Sequence, residues 1–187
     1  MNKNPEQCLR TKENLMEAFW ELYSENPIEK ITVKEITQKA NYNRSTFYEY
    51  FKDTHDVLDQ IEDKVIPKLE EIPPLNSLSE KEATPFNLFM KIYEKNSKYY
   101  CLLLGEKGDP YFSQKFKNAL KPLIIETFLK NYKKDYLKLD FLLEFILSGM
   151  IGTMTYWFGK NKILNSDELF EVVHSFMKKG VNSFIDK

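Results

Sequence analysis

A chain of 187 residues is long enough for one large domain, or a small one joined to a larger. With 42% hydrophobic and 29% charged residues it can build a packed core, which argues against wholesale disorder. The net charge of -1 gives no overall attraction to nucleic acid or to an anionic membrane, so any nucleic-acid role must rest on local charge placement.

Sparse glycine and proline favour long helices over strands and turns. Cys8 and Cys101 lie far apart and in no metal-like spacing, so neither a disulfide framework nor a metal site is expected. The opening MNKNPEQCLRTKEN lacks the apolar core of a signal peptide, and a cytoplasmic protein is expected.

In RTKENLMEAFWELYSEN, Leu15, Phe19, Leu22 and Tyr23 recur at helical spacing, while Glu13, Glu17, Glu21 and Glu25 form a stripe on another face. Pro27 ends that helix. Thr32 and Glu35 fit a capping box, and Val33, Ile36 and Ala40 line one face of a helix of about two turns. The break at Asn41, Tyr42 and Asn43 precedes a second short helix over 44–51, with Phe47 and Phe51 inward. Asp53 or Thr54 can cap a longer helix running to about 71 and kinked at Pro67. Ile72, Pro73 and Pro74 stop it and open a polar linker, LNSLSEKEA.

Thr84-Pro85 and Asp109-Pro110 are cap-plus-proline starts for helices over 85–104, with a break near Asn96, and 110–133, bent or split at Pro122. The apolar stretch 137–159 follows, and Ser166 is expected to cap a last helix with Leu169, Val172, Val173, Phe176 and Val181 inward. Within it FLLEFILSGMIGTMTYWF reaches the length of a marginal membrane span. Glu144, Ser148, Thr153 and Thr155 spread polar groups through it, and no second span could hide them, so a helix in a bundle is the expected form. The fold class is all-α: a short-helix N-terminal unit and a larger helical remainder.

Two short helices joined by a tight turn describe a helix-turn-helix. Asn41 tolerates the positive φ such a turn needs. Arg44, Ser45, Thr46, Tyr48, Glu49 and Tyr50 then occupy the leading and outer parts of the second helix. A recognition helix reads base edges with its N-terminal residues, while nearby hydroxyls and cations hold phosphates. Arg44 suits a guanine edge or a phosphate, Tyr48 and Tyr50 can donate to phosphate oxygens, and Thr32 opens a helix N-terminus with free N–H groups. Residues 28–52 carry Lys30, Lys34, Lys39, Arg44 and Lys52 against Glu29, Glu35 and Glu49, a local surplus of two positive charges.

The stretch ITVKEITQKANYNRSTFYEYFKD resembles the DNA-binding region of the tetracycline-repressor (TetR) family over residues 9 to about 53. By that resemblance, Thr32, Arg44, Ser45, Thr46, Tyr48, Tyr50 and Lys52 fall on positions that touch DNA. Asn41 stands where the family usually has glycine, and Glu49 where it often has a neutral or basic residue. Glu49 could accept from a cytosine amino group or pair with Lys52. The resemblance implies a DNA-binding domain over 1–53 and a ligand-binding and dimerisation domain over 54–187. It further implies a ligand-responsive homodimeric repressor, with double-stranded DNA bearing a near-palindromic operator and an unknown small-molecule effector as partners, and no cofactor.

LLLGEKGDPYFSQKF and FLLEFILSGMIGTMTYWFGKNK are similar to a branch related to the dihydroxyacetone-kinase regulators. Phe141, Phe145, Gly149, Gly152 and Tyr156 follow one helical ridge with a small-residue centre, suited to a dimer seam shared with Leu169, Val173 and Phe176, or to an intramolecular core helix. Phe86, Phe89, Met90, Tyr93, Tyr100, Phe116, Phe128 and Met154 are candidate lining residues of an effector pocket, or plain core.

An enzyme is not expected. His55 and His174 are the only histidines, Cys101 has no partner close in sequence, and no glycine-rich phosphate loop is present. Cys101 reads as a buried, inert thiol or as a redox sensor. The alternative to a DNA-reading regulator is a helical adaptor that acts through protein contacts.

Overall fold

A computed structural model describes residues 4–71, 84–105, 108–128 and 135–185, and within them every side chain except those of Leu69, Pro110, Phe128 and 178–185. The linker expected over 75–83 and the inward Val181 side chain lie outside what is described. The described residues form helices α1 Pro5–Glu25, α2 Val33–Ala40, α3 Arg44–Tyr48, α4 Thr54–Val65, α5 Pro85–Lys95, α6 Ser97–Leu103, α7 Pro110–Phe128, α8 Tyr136–Gly159 and α9 Ser166–Ile185. The all-α class is as read from the sequence. The chain divides into two compact units, Met1–Val65 and Ile66–Lys187. Helix α4 therefore counts with the N-terminal unit, where a boundary after residue 53 had been expected. Val57, Leu58, Ile61 and Val65 are buried, and α4 lies against α1, which is why it stays.

In the N-terminal unit, Asn4 caps α1 by accepting from the Glu6 N–H at 3.1 Å, and α1 buries Leu15, Phe19, Trp20 and Tyr23. Ile36 of α2 and Phe47 of α3 are 0% exposed and join that core. The Thr32–Glu35 capping box is present in both directions. Asn41 has φ 57 and ψ 47, the left-handed conformation that ends α2 and turns the chain toward α3, and the Tyr42 N–H bonds the Thr37 carbonyl at 2.9 Å. Asparagine tolerates that conformation because its short polar side chain can hydrogen-bond the local backbone, which a β-branched aliphatic residue cannot do. Asn41→Val is expected to lower the stability of this unit by about 1–2 kcal/mol in urea denaturation, and Asn41→Gly to leave it unchanged or higher. Equal stability of the two variants would contradict this role.

Asp53, not Thr54, supplies the cap of α4, accepting from the Asp56 N–H at 2.9 Å. That helix stops at Val65 rather than continuing kinked to about 71. Pro67 disfavours helical backbone at the residue before it, and the chain resumes as a 3-10 turn over Leu69–Glu71.

The C-terminal unit is built on an aromatic cluster. Tyr93 of α5, Tyr100 of α6 and Phe116 of α7 are each 0% exposed, with ring centroids 5.4 Å apart for Tyr93–Tyr100 and 4.9 Å for Tyr100–Phe116. Asn96 breaks α5 from α6 as expected. Pro122 neither splits nor stops α7, which runs through it. Asn165, not Ser166, caps α9: it accepts from the Glu168 N–H at 3.0 Å while the Glu168 carboxylate accepts from the Asn165 N–H at 2.8 Å.

Helix α8 is apolar on two faces. Leu143, Leu147, Met150, Met154 and Trp157 are buried inside the unit, while Phe141, Phe145 and Tyr156 are 71%, 68% and 68% exposed. Glu144, the one charge in its apolar stretch, is paired from α7 by Lys117 and by Lys121 at 3.0 Å. Those two lysines hold its carboxyl below the usual carboxylate range. Among the described residues no helix is long and apolar enough to cross a membrane.

Candidate nucleic-acid interface

The expected DNA-contact residues gather on the α2–turn–α3 segment. Thr32, Arg44, Ser45, Tyr48 and Lys52 are exposed, while Thr46 and Tyr50 are half-buried. Helix α3 has only five residues, shorter than the 44–51 expected. Its last turn continues through bonds from the Tyr50 and Phe51 N–H groups to the Phe47 carbonyl, both 3.0 Å. Phe47 anchors it from below, with the Tyr48 ring edge-on at 5.5 Å and Phe51 at 5.4 Å. The burial of Phe47 is what turns Arg44, Ser45 and Tyr48 outward.

The far end of α3 is tied to α4. The Asp56 carboxylate accepts from the Lys52 N–H at 2.7 Å and from the Gln60 amide at 3.0 Å, and the same Gln60 amide donates to the Tyr50 carbonyl at 3.3 Å. The Gln60 and Lys52 bonds keep the Asp56 carboxyl below its ordinary range. Lys12 of α1 stands 5.9 Å above the Phe51 ring, which adds a positive charge beside this end.

Two pairings bear on the expected placement of charge. The Thr32 N–H and hydroxyl are not free for an anion, because the Glu35 carboxylate accepts from both, at 2.9 and 2.7 Å. Those bonds hold the Glu35 carboxyl below the usual carboxylate range. Lys39, counted in the local surplus, is paired at 2.7 Å with Glu21 of α1. The α1 carboxylate stripe was legible, but not which cation it would meet. Glu49 is exposed at the C-terminal end of α3.

Other candidate residues fall as follows. Phe86, Phe89, Met90, Tyr93, Tyr100, Phe116 and Met154 all lie in the C-terminal unit, each no more than 6% exposed. The Phe128 side chain lies outside the described residues. Phe141, Phe145, Gly149, Gly152, Tyr156 and Phe176 face outward, and Val173 is half-buried. Leu169 does not join them: it is 5% exposed on the inner side of α9, which packs on α5, and so belongs to the chain's own core. Burial pushes the Cys101 thiol above its ordinary value, which lowers the fraction of reactive thiolate. His55 is exposed, and His174 stacks on Phe170 at 4.7 Å.

A two-helix unit with a left-handed turn, a buried aromatic anchor and an outward row of Arg, Ser and Tyr is a DNA-binding helix-turn-helix. Residues 12–61 match the model of bacterial regulatory proteins of the tetR family, and residues 83–179 match that of a transcriptional regulator C-terminal region of TetR type. The chain belongs to the TetR family of transcriptional regulators, whose members bind DNA and are not enzymes.

Among solved structures it is similar to a TetR transcriptional regulator from Streptococcus agalactiae 2603V, at 27% identity over 89% of this chain and 93% of that one, with a TM-score of 0.66. The fatty acid degradation regulator FadR from Bacillus halodurans shares the fold at 18% identity, over 95% and 96% of the two chains, with a TM-score of 0.64. So does the dihydroxyacetone kinase operon activator DhaS, at 19% identity over 94% and 96%, with a TM-score of 0.56. No curated protein matches the chain.

Proposed function

We propose that this DNA-binding regulator is a ligand-responsive homodimeric repressor, acting in the cytoplasm on a near-palindromic operator. Arg44 reads a guanine edge or grips a phosphate at the start of α3, with Ser45 and Thr46 beside it. Tyr48, Tyr50 and Lys52 hold phosphates, and the Thr32 end of α2 lies along the backbone. Its roles assigned by domain are DNA binding for the N-terminal unit, and effector binding and dimerisation for the C-terminal one.

The observation that carries the dimer is the outer face of α8. Exposed Phe141, Phe145 and Tyr156 flank Gly149 and Gly152, at which an added Cβ would meet nothing within 4 Å. Beside them an apolar groove of about 580 Å³ runs between Phe145 and Gly149 of α8 and Val172 and Phe176 of α9. Patches of that kind on a single chain mark interaction sites. A two-fold axis through this face sets aromatic rims against glycine centres of the partner, and a two-fold protein reads a two-fold operator.

Tyr93, Tyr100 and Phe116 are in ring contact. An effector that parts them would favour a conformation whose recognition helices no longer match the operator spacing, lowering affinity by population shift. Sedimentation of the purified chain at micromolar concentration is expected to give twice the 22.3 kDa chain mass. A folded monomer would overturn the dimer reading.

A further inference from the structure

We propose that Tyr42, held by Asn14 of α1, is a phosphate-binding residue, and that with Arg10 it extends the DNA footprint beyond the recognition helix onto α1. The inference rests on the DNA-binding role of the helix-turn-helix and adds residues to it. Tyr42 sits in the turn, two residues ahead of the Arg44 that opens α3. Its backbone is fixed by the left-handed Asn41 before it and by its own N–H bond to the Thr37 carbonyl. The Asn14 side-chain amide donates to the Tyr42 hydroxyl at 3.0 Å.

The direction of that bond matters. A phenol has one proton to give and can also accept. With its oxygen accepting from Asn14, its proton is left over, and no acceptor for it is found among the described residues. A half-buried ring with an oriented, unspent hydroxyl next to a recognition helix is a pre-set donor for a phosphate oxygen.

Charge on α1 agrees. Arg10 lies one helical turn before Asn14, on the same face and exposed, and no carboxylate pairs with it among the described residues. Glu13 and Glu21 of the same helix are taken up by Lys64 at 3.3 Å and Lys39 at 2.7 Å. Arg10 and Asn14 share one face of α1 and Asn14 meets Tyr42, so a cation, an amide and a hydroxyl follow one another. Asn14 is the positioning residue; Tyr42 and Arg10 make the contacts.

The test is binding of the full-length chain to two probes, its selected operator duplex and a duplex of mixed sequence, across a range of salt. Tyr42→Phe is expected to weaken both about tenfold, since a hydrogen bond to a charged group is lost without base information. Asn14→Ala is expected to weaken both less, and to have no further effect in the Tyr42→Phe background. Arg10→Ala is expected to reduce the salt slope by about 1. Arg44→Ala provides the contrast, losing the operator far more than the mixed duplex if it reads a base. Ethylating single operator phosphates should reveal one whose blocking harms the wild type and not Tyr42→Phe.

Wild-type affinity in Tyr42→Phe, on a chain that binds its operator, overturns this inference and leaves the DNA-binding role standing. A binding loss accompanied by a matching drop in thermal stability assigns the pair to fold maintenance and overturns it too. A wild-type chain that binds neither duplex overturns both.

Discussion

Phe47→Ala is expected to destabilise the N-terminal unit by about 3–5 kcal/mol, the usual cost of truncating a fully buried aromatic. Phe47 is 0% exposed and sits under a recognition helix of five residues, too short to hold itself. Its ring touches Phe51 and Tyr48, so its removal leaves a cavity at the point where α3 is anchored. A loss of that size is a large share of the 5–15 kcal/mol that holds a typical domain together. The measurement is urea denaturation followed by tryptophan fluorescence. Trp20 is buried in the N-terminal unit and Trp157 in the C-terminal one, so a Trp157→Phe background lets Trp20 report the first unit alone. DNA binding should fall with it, while the helical signal of the C-terminal unit persists. A shift below about 1 kcal/mol would contradict the anchoring role.

Phe145→Glu is expected to do the opposite: to leave each chain folded and to separate the two. The side chain is 68% exposed, so its replacement should change chain stability by no more than about 0.5 kcal/mol. Across a two-fold axis, however, one substitution becomes two carboxylates facing an apolar partner, and removing an aromatic anchor buried in an interface typically costs about 2 kcal/mol or more in association. Sedimentation should show a monomer where the unchanged chain is a dimer. Operator affinity should fall by orders of magnitude, because the two recognition helices are no longer linked and each half-site must be bound separately. An unchanged mass for Phe145→Glu would place the dimer contact elsewhere.

What could be read from the sequence was mostly what local chemistry decides. The Thr32–Glu35 box, the left-handed Asn41, the inward Phe47 and the break at Asn96 each depend on residues within one or two turns, and each is as expected. Errors arose where a distant element, or a competing neighbour, decided the outcome. Asn165 caps α9 in place of Ser166 because Glu168, three residues on, reaches back to it, whereas Leu169 stands three residues after Ser166. Pro122 does not split α7, which runs through it. Leu169 and Phe176 share one apolar pattern, and only the packing of α9 on α5 separates the buried one from the exposed one.

The candidate interface divides along the same line. The outward residues of α3 follow from the spacing of Phe47 and Phe51. The Thr32 N–H and the Lys39 charge are taken up by Glu35 and Glu21, and the second of those contacts joins different helices. Tyr42 was visible only as a helix breaker, since its partner Asn14 is far away in sequence. The aromatic residues of α5, α6 and α7 come into ring contact, and spacing alone does not distinguish rings that line a space from rings that fill it.

Selection of duplexes from a random DNA pool, by the purified chain at near-physiological salt, tests the DNA-reading role most directly. A near-palindromic sequence enriched by the unchanged chain and lost with Arg44→Ala is the expected result. A folded dimer that enriches no sequence would contradict it, and an Arg44→Ala chain that enriches the same one equally well would remove Arg44 from base reading.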